Sequence, residues 1–225
     1  LISYWPLDGI QGERTPDLVN GYNMNLDNLS NSDLVDGKFG KAFSFVAGNQ
    51  TLLWRQHEES DLLPLNDQHE NWSIALWVKG KGTGQNDLRV FSEGSSQNSN
   101  PLFNIGTHNG GADDTVDLFI RGQNGTTNHA HSVQDGLDDE WRLLVWTQAG
   151  NDATLYIDGV ADEFEADGVA PLANPDAGYR VNNTAIGGIL RASPSHWWTG
   201  LIDDVGAWNR VLTQADVDEL MGGGL

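Results

Sequence analysis

Trp72-Ser-Ile-Ala-Leu-Trp-Val-Lys79 alternates with a period of two: Trp72, Ile74, Leu76 and Val78 share one face, and Ser73, Ala75, Trp77 and Lys79 the other. That is the pattern of a β-strand buried mainly on one side, because successive side chains of a strand point to opposite faces. The same reading extends along the chain. Phe43 and Phe45 align within 41–46, Val116, Leu118 and Ile120 within 115–121, Trp141, Leu143 and Val145 within 141–148, and Leu155 and Ile157 within 153–158. Gly, Asn and Asp clusters separate these runs, and Asp158-Gly159 predicts a hairpin turn with positive φ. The one helix expected is terminal, with Thr213 as its cap, Asp216 near its positive end, and an apolar stripe of Val217 and Leu220. About a dozen strands and one short helix imply an all-β, two-sheet antiparallel sandwich, since each sheet must bury its apolar face against another layer.

The 225 residues suit a single such domain over 1–221, and Gly222-Gly223-Gly224 reads as the start of a linker in 222–225, so flanking domains of a larger parent protein are expected. Twelve Lys and Arg stand against 32 Asp and Glu, a formal net charge of −20. A phosphate backbone would be repelled, which excludes nucleic acid as a partner. There is no cysteine, so disulfides, thiolate zinc sites and a cysteine nucleophile are excluded. No apolar stretch reaches the roughly 20 residues of a membrane span, so no membrane insertion is expected.

Six segments in order, Tyr4-Trp-Pro-Leu-Asp8, Asp17-Leu-Val-Asn-Gly21, Asp36 through Phe45, Trp72 through Val78, Trp141 through Gly159 and Gly200 through Leu220, together resemble the laminin G-like (LamG) jelly roll of the concanavalin A-like superfamily. The resemblance implies two antiparallel sheets, one of them curved, with the first and last strands side by side. It also implies a non-catalytic, calcium-stabilised module for carbohydrate recognition or adhesion in an exported bacterial protein, secreted or at the cell surface, with a glycan or extracellular polysaccharide as partner. The alternatives on this fold are a protein-binding adhesion module and a polysaccharide lyase or glycoside hydrolase.

Calcium wants six to eight oxygen ligands. The adjacent Asp203 and Asp204 interrupt an otherwise apolar strand, an expensive arrangement unless compensated. Together with Asp17 and Asn20, which the resemblance adds, they are the expected Ca2+ ligands; capped turns or a wet edge strand are the plainer reading. His129 and His131 share one face of a strand, with His108 as a conceivable third metal ligand, though two solvated histidines are the simpler expectation. Glu163 and Glu165 also share a face but lie in a polar turn or edge, so no catalytic residue is assigned. Of nine tryptophans, six fall within strand patterns; Trp54, Trp197 and Trp198 do not. A sugar presents an apolar C–H face beside hydroxyls, so an exposed ring near an arginine fork is the binding pattern. Trp54, Tyr179, Arg191 and Trp197 are therefore the expected carbohydrate-binding residues. In Ser195-His-Trp-Trp198, strand alternation sends one tryptophan inward, and Trp198, which aligns with the single aromatic that the resemblance places before Gly200, is assigned to the core.

Overall fold

The computed structural model describes residues 1–97, 102–121, 127–166 and 181–223. Its strands, in chain order, are β1 (Ser3–Trp5), β2 (Arg14–Thr15), β3 (Met24–Asp27), β4 (Leu34–Asp36), β5 (Lys41–Phe45), β6 (Leu52–Gln56), β7 (Asn71–Lys79), β8 (Arg89–Gly94) and β9 (Leu102–Thr107). They continue as β10 (Thr115–Arg121), β11 (Thr127–Asp135), β12 (Arg142–Ala149), β13 (Asp152–Ile157), β14 (Val160–Ala161), β15 (Glu165–Ala166), β16 (Asn183–Ile186) and β17 (Gly200–Trp208). A short helix, α1 (Leu65–Gln68), precedes β7, and α2 (Gln214–Met221) closes the chain.

Two antiparallel sheets result. The smaller runs β14-β13-β12-β7-β17-β5-β4, with β1 also paired to β17, and the larger runs β15-β11-β10-β9-β8-β16-β6-β3-β2. The first and last strands are side by side, as Tyr4 lies opposite Gly206 and Trp5 opposite Val205. The inward rows of both sheets form one core. Trp72, Ile74, Leu76 and Val78 of β7 meet Phe103 and Ile105 of β9 and Val116, Leu118 and Ile120 of β10, all buried. The alternation quoted at the outset therefore points to the interface between the sheets.

The outward row of β7 is not solvated. Ala75 and Trp77 join Leu143, Val145 and Trp208 in a second apolar cluster beneath Val217 and Leu220 of α2. That helix starts as its sequence requires: Asp216 N–H donates to Thr213 Oγ1 at 3.3 Å, and Thr213 N–H donates to an Asp216 carboxylate oxygen at 2.7 Å, a reciprocal capping box. The turn at Asp158 (φ 50°) and Gly159 (φ 83°) joins β13 to β14 with both residues left-handed.

Trp198 is fully buried and Trp197 half-buried. The Trp198 ring packs against two glycines so closely that a Cβ on Gly80 or Gly200 would lie 2.4 or 2.3 Å from it. Trp198→Ala should cost about 3–5 kcal/mol, and Gly80→Ala about 1–3 kcal/mol by overpacking. Urea denaturation followed by tryptophan fluorescence measures both; a Gly80→Ala protein as stable as wild type would show that the indole is free to move aside.

Candidate functional site

The outward face of the larger sheet is built by the same alternation. Each strand that turns a Phe, Ile or Leu inward turns its neighbours outward. Cross-strand register then aligns one outward row through six strands: Trp54, Ala185, Ser92, Asn104, Phe119 and His129. The next row holds Arg89, Gly106, Asp117 and His131. Arg89 belongs there only because of a bulge. The register shifts between Arg89 and Phe91, so Val90 and Phe91 both enter the core while Arg89 is re-aimed outward. Gly106 gives it room, since a Cβ at that position would lie 2.8 Å from Arg89 Cδ.

Arg89 is nearly inaccessible, with 4% of its side chain exposed, and its partners explain how a charge is kept there. Its Nη1 lies 3.0 Å from Asp117 Oδ2 and donates to the carbonyl of Thr107 at 3.2 Å, and its Nη2 contacts Asp87 Oδ1. Asp117, fully buried, also contacts His129 Nε2 through its other oxygen. Asp87 pairs with His196 Nε2 at 3.2 Å. Burial would raise the pKa of Asp87, but the His196 hydrogen bond and the charge of Arg89 outweigh it and hold it below the ordinary carboxylate range.

Residues 187–199 fold over the middle of this face. Ser92 Oγ donates to the carbonyl of Gly188 at 2.8 Å, Ile189 bridges Ser195, and Arg89 N–H donates to the carbonyl of His196 at 3.0 Å. Two concavities take in residues of this face. Trp54, half-buried with its Nε1 held by Asp27 at 3.0 Å, lines a cavity of about 600 Å³ with Asn25, Ile10 and Glu13. In the other, Arg191 and His196 meet Arg89, Asn104, Phe119 and Arg121 around a cavity of about 110 Å³. Arg121 lies over the Phe119 ring, 5.1 Å from its centroid.

Three of the four expected carbohydrate ligands are thus placed: Trp54 and Arg191 line these two cavities, and Trp197 lies on the covering segment. Tyr179 lies outside the described residues. Sequence reasoning missed Arg89, Asn104, Asp117, Phe119 and Arg121. The period of 115–121 was itself the available signal, since placing Val116, Leu118 and Ile120 inside puts Asp117, Phe119 and Arg121 outside. The histidines differ from the solvated pair expected: the His129 and His131 side chains are 15% and 20% exposed, and His131 stacks on His108 with ring centroids 4.6 Å apart. Glu163 and Glu165 are exposed, the latter in edge strand β15.

The four expected calcium ligands do not converge on one ion. Asp17 spends its carboxylate on backbone: Oδ1 accepts from the N–H groups of Tyr4 (2.7 Å) and Val19 (3.2 Å), and Oδ2 from those of Asn20 (3.0 Å) and Tyr22 (2.9 Å). Asn20 donates its side-chain amide to the carbonyl of Ile2 at 2.8 Å. These contacts tie the 17–22 loop to β1. Asp203 and Asp204 lie instead on β17, where its edge partner changes from β5 to β1. A bulge falls there, with Asp204 at φ 46°. Asp204 accepts the Tyr4 hydroxyl, and Asp203 Oδ2 accepts the N–H of Phe39 at 3.0 Å, while buried Asp203 Oδ1 has no hydrogen-bond partner among the described residues. Among the described residues no group of three His, Cys, Asp or Glu is arranged to hold a metal ion.

With this geometry established, comparison with known proteins gives the family. The model for the Laminin_G_3 family, of the concanavalin A-like lectin/glucanases superfamily, matches residues 56–218. The chain belongs to that family. No curated protein sequence matches it. Among solved structures it is similar to the receptor binding domain of a botulinum neurotoxin C/D mosaic serotype (TM-score 0.67, 15% identity, 99% of this chain and 51% of that one). It is also similar to the binding domain of Paraclostridial Mosquitocidal Protein 1 (0.64, 16%, 99% and 51%), and to a botulinum neurotoxin serotype D ligand binding domain in complex with N-acetylneuraminic acid (0.63, 13%, 95% and 49%). The chain spans about half the length of these neighbours, and at such identities the likeness is one of fold.

Burial, and after it the charges of Asp204 and Asp8, push the carboxyl of Asp203 up to about 7, against the opposing N–H of Phe39. A raised folded-state pKa means that the folded protein holds a proton that the unfolded chain releases near pH 4. The stability it confers is whole below that pH and is lost as pH rises through about 7. Asp203→Asn should therefore be the more stable protein at pH 8 in chelator, by on the order of 2–4 kcal/mol, with the gap closing toward pH 4. Denaturation curves of both proteins across that range test it; a pH-independent gap would remove Asp203 as the titrating group.

Proposed function

We propose that the chain is a non-catalytic carbohydrate-recognition module of an exported bacterial protein, secreted or displayed at the cell surface beside flanking domains, and that it binds its glycan on the outward face of the larger sheet. The observation that carries this reading is Trp54. A half-exposed indole, oriented by Asp27 within a cavity of about 600 Å³ that mixes aliphatic groups (Ile10, Leu26, Leu29) with polar ones, offers a ring face for sugar C–H groups with amide and carboxylate partners for hydroxyls around it. Trp197 and Arg191 extend the same surface toward the second cavity. The N-acetylneuraminic acid complex of a structural neighbour supports a glycan as the class of ligand.

Calcium enters the proposal at Asp203 and Asp204 alone. What supports it there is the unpartnered, buried Asp203 Oδ1 beside a second carboxylate, since a hard cation would compensate charges that the strand otherwise holds at a cost. Calcium should raise the melting temperature of the wild type at pH 8, chelator should reverse the gain, and Asp203→Asn should abolish the response; an ion present at 100 times its dissociation constant stabilises by about 2.7 kcal/mol. A melting curve indifferent to calcium would leave Asp203 as a buried, protonated acid.

Glycan-array screening followed by calorimetry on the best hit tests the binding reading. Trp54→Ala should weaken that hit by about tenfold or more, as loss of a buried aromatic anchor does, with the fold intact by circular dichroism. Protein ligands without any glycan would favour the adhesion alternative. Sustained release of reducing ends or of unsaturated uronate would make the chain an enzyme instead.

A further inference from the structure

The cavity beside Arg191 has two features that stacking on a neutral sugar leaves unused. Asn104 is wholly buried, yet neither its Oδ1 nor its Nδ2 has a hydrogen-bond partner among the described residues. Buried amides are nearly always paired, and one that is not calls for a missing partner. Arg191, half-buried, has among the described residues a single hydrogen bond, from Nη2 to the ring Nδ1 of His196 at 3.4 Å, and no carboxylate within ion-pair distance. Its pKa is lowered by burial first and then by the like charges of Arg121 and Arg89, against the opposing charge of Asp87. Both Asn104 and Arg191 line the same space of about 110 Å³.

Arg89, Arg121 and Arg191 line the cavity, and the acids in contact with Arg89, Asp87 and Asp117, are engaged by Arg89 and two histidines. Arg89 is thus matched by its two carboxylates, whereas Arg191 faces the same cavity with no carboxylate among the described residues within ion-pair distance. A half-buried guanidinium without a carboxylate is costly to hold, and an anionic ligand would supply the partner that Arg191 lacks.

We propose that this cavity is a subsite for the carboxylate of an acidic sugar, with the Arg191 fork taking the carboxylate oxygens and the Asn104 amide pairing with the hydroxyl or ring oxygen next to it. The inference rests on the glycan-binding reading and narrows it to acidic glycans. A guanidinium matches a planar carboxylate through two parallel hydrogen bonds, and an amide suits a neighbour that both donates and accepts. The volume equals that of roughly four waters, enough for a carboxylate and the atoms beside it, with the rest of the sugar at the mouth. Asp87 on the cavity wall disfavours a second negative charge, which selects a monoanion over a phosphate or a multiply sulfated ring.

Calorimetry on the whole chain with trigalacturonate and its methyl ester, and with sialyllactose and lactose, separates charge from shape and a uronate from a sialate source. The acid of at least one pair should bind about ten- to a hundredfold more tightly than its neutral counterpart, and the difference should shrink in high salt. Arg191→Gln should erase it without lowering the melting temperature, Arg191→Lys should restore it in part, and Asn104→Asp should repel the acid while sparing neutral glycans that depend on Trp54. Equal affinity for acid and neutral forms, an affinity untouched by Arg191→Gln, or a multiply sulfated trisaccharide without carboxylates bound as tightly as the uronate would overturn the subsite. Neutral glycans bound through Trp54 with no gain for acids would overturn the subsite alone, whereas failure of every saccharide to bind would overturn the glycan reading with it.

Discussion

The contact on which the rest depends is the aromatic knot between the sheets. Trp72 of β7 lies 4.8 Å, centroid to centroid, from Phe103 of β9, and Trp146 of β12 lies 4.7 Å from the same ring, both edge-on. Phe91 of β8 packs on Phe103 from within the larger sheet. Edge-to-face packing of this kind adds about 0.5–1.5 kcal/mol per pair beyond area burial, but its larger effect is on phase. Once Phe103 points inward, Asn104 has to point outward, because a strand has only two faces. The same holds one strand over, where Leu118 inward fixes Asp117 and Phe119 outward. The polar surface is thus set by the packing of the apolar one.

Phase alone would have placed Arg89 in the core with Phe91. The bulge at Val90 prevents this, and the cluster of Arg89, Asp117 and His129 follows from that one extra residue. A buried guanidinium is tolerable only when its hydrogen bonds and charge are both met. Arg89 meets its charge with two carboxylates on opposite sides, and those carboxylates meet histidines in turn. Such a network fixes the orientation of Arg89 at the floor of the Arg191 cavity through its carboxylate partners.

The elements most legible in the sequence are those ruled by period and turn chemistry. The face assignments in 72–79 and 115–121, the Asp158-Gly159 turn and the Thr213 cap all follow from local rules that tertiary contacts left undisturbed, whereas the inward Trp198 followed from the family resemblance. What was not legible falls where the count is broken. At Val90 and again near Asp204 one residue too many enters a strand, and nothing in the pattern marks it, since a bulge is stabilised by partners far along the chain. Arg89 was therefore missed. Asp17 was hidden for another reason: a carboxylate that accepts four backbone N–H groups and one that binds a cation look alike in sequence, because both answer clustered positive charge with the same side chain.

The bulge near Asp204 also accounts for the two acids that stand out on reading the chain. Along one edge of β17, residues 200–202 pair with β5 and 205–207 with β1. Between those partners the edge has no strand beside it, and the loop from Asp36 to Lys41 fills the gap. Its N–H groups need acceptors. Asp203 serves Phe39, and Asp8, arriving from the end of β1, serves Lys41 at 2.6 Å. Gly37 and Gly40 let the loop come this close, as a Cβ on either would lie within 2.5 Å of the Asp203 or Asp8 carboxylate. Asp204 meanwhile locks β1 in place through the Tyr4 hydroxyl. The acids thus close the seam where first, last and fifth strands meet, a task that requires acceptors whether or not a cation shares them, and the oxygen left over at Asp203 is the one point at which an ion would add to what the backbone already demands.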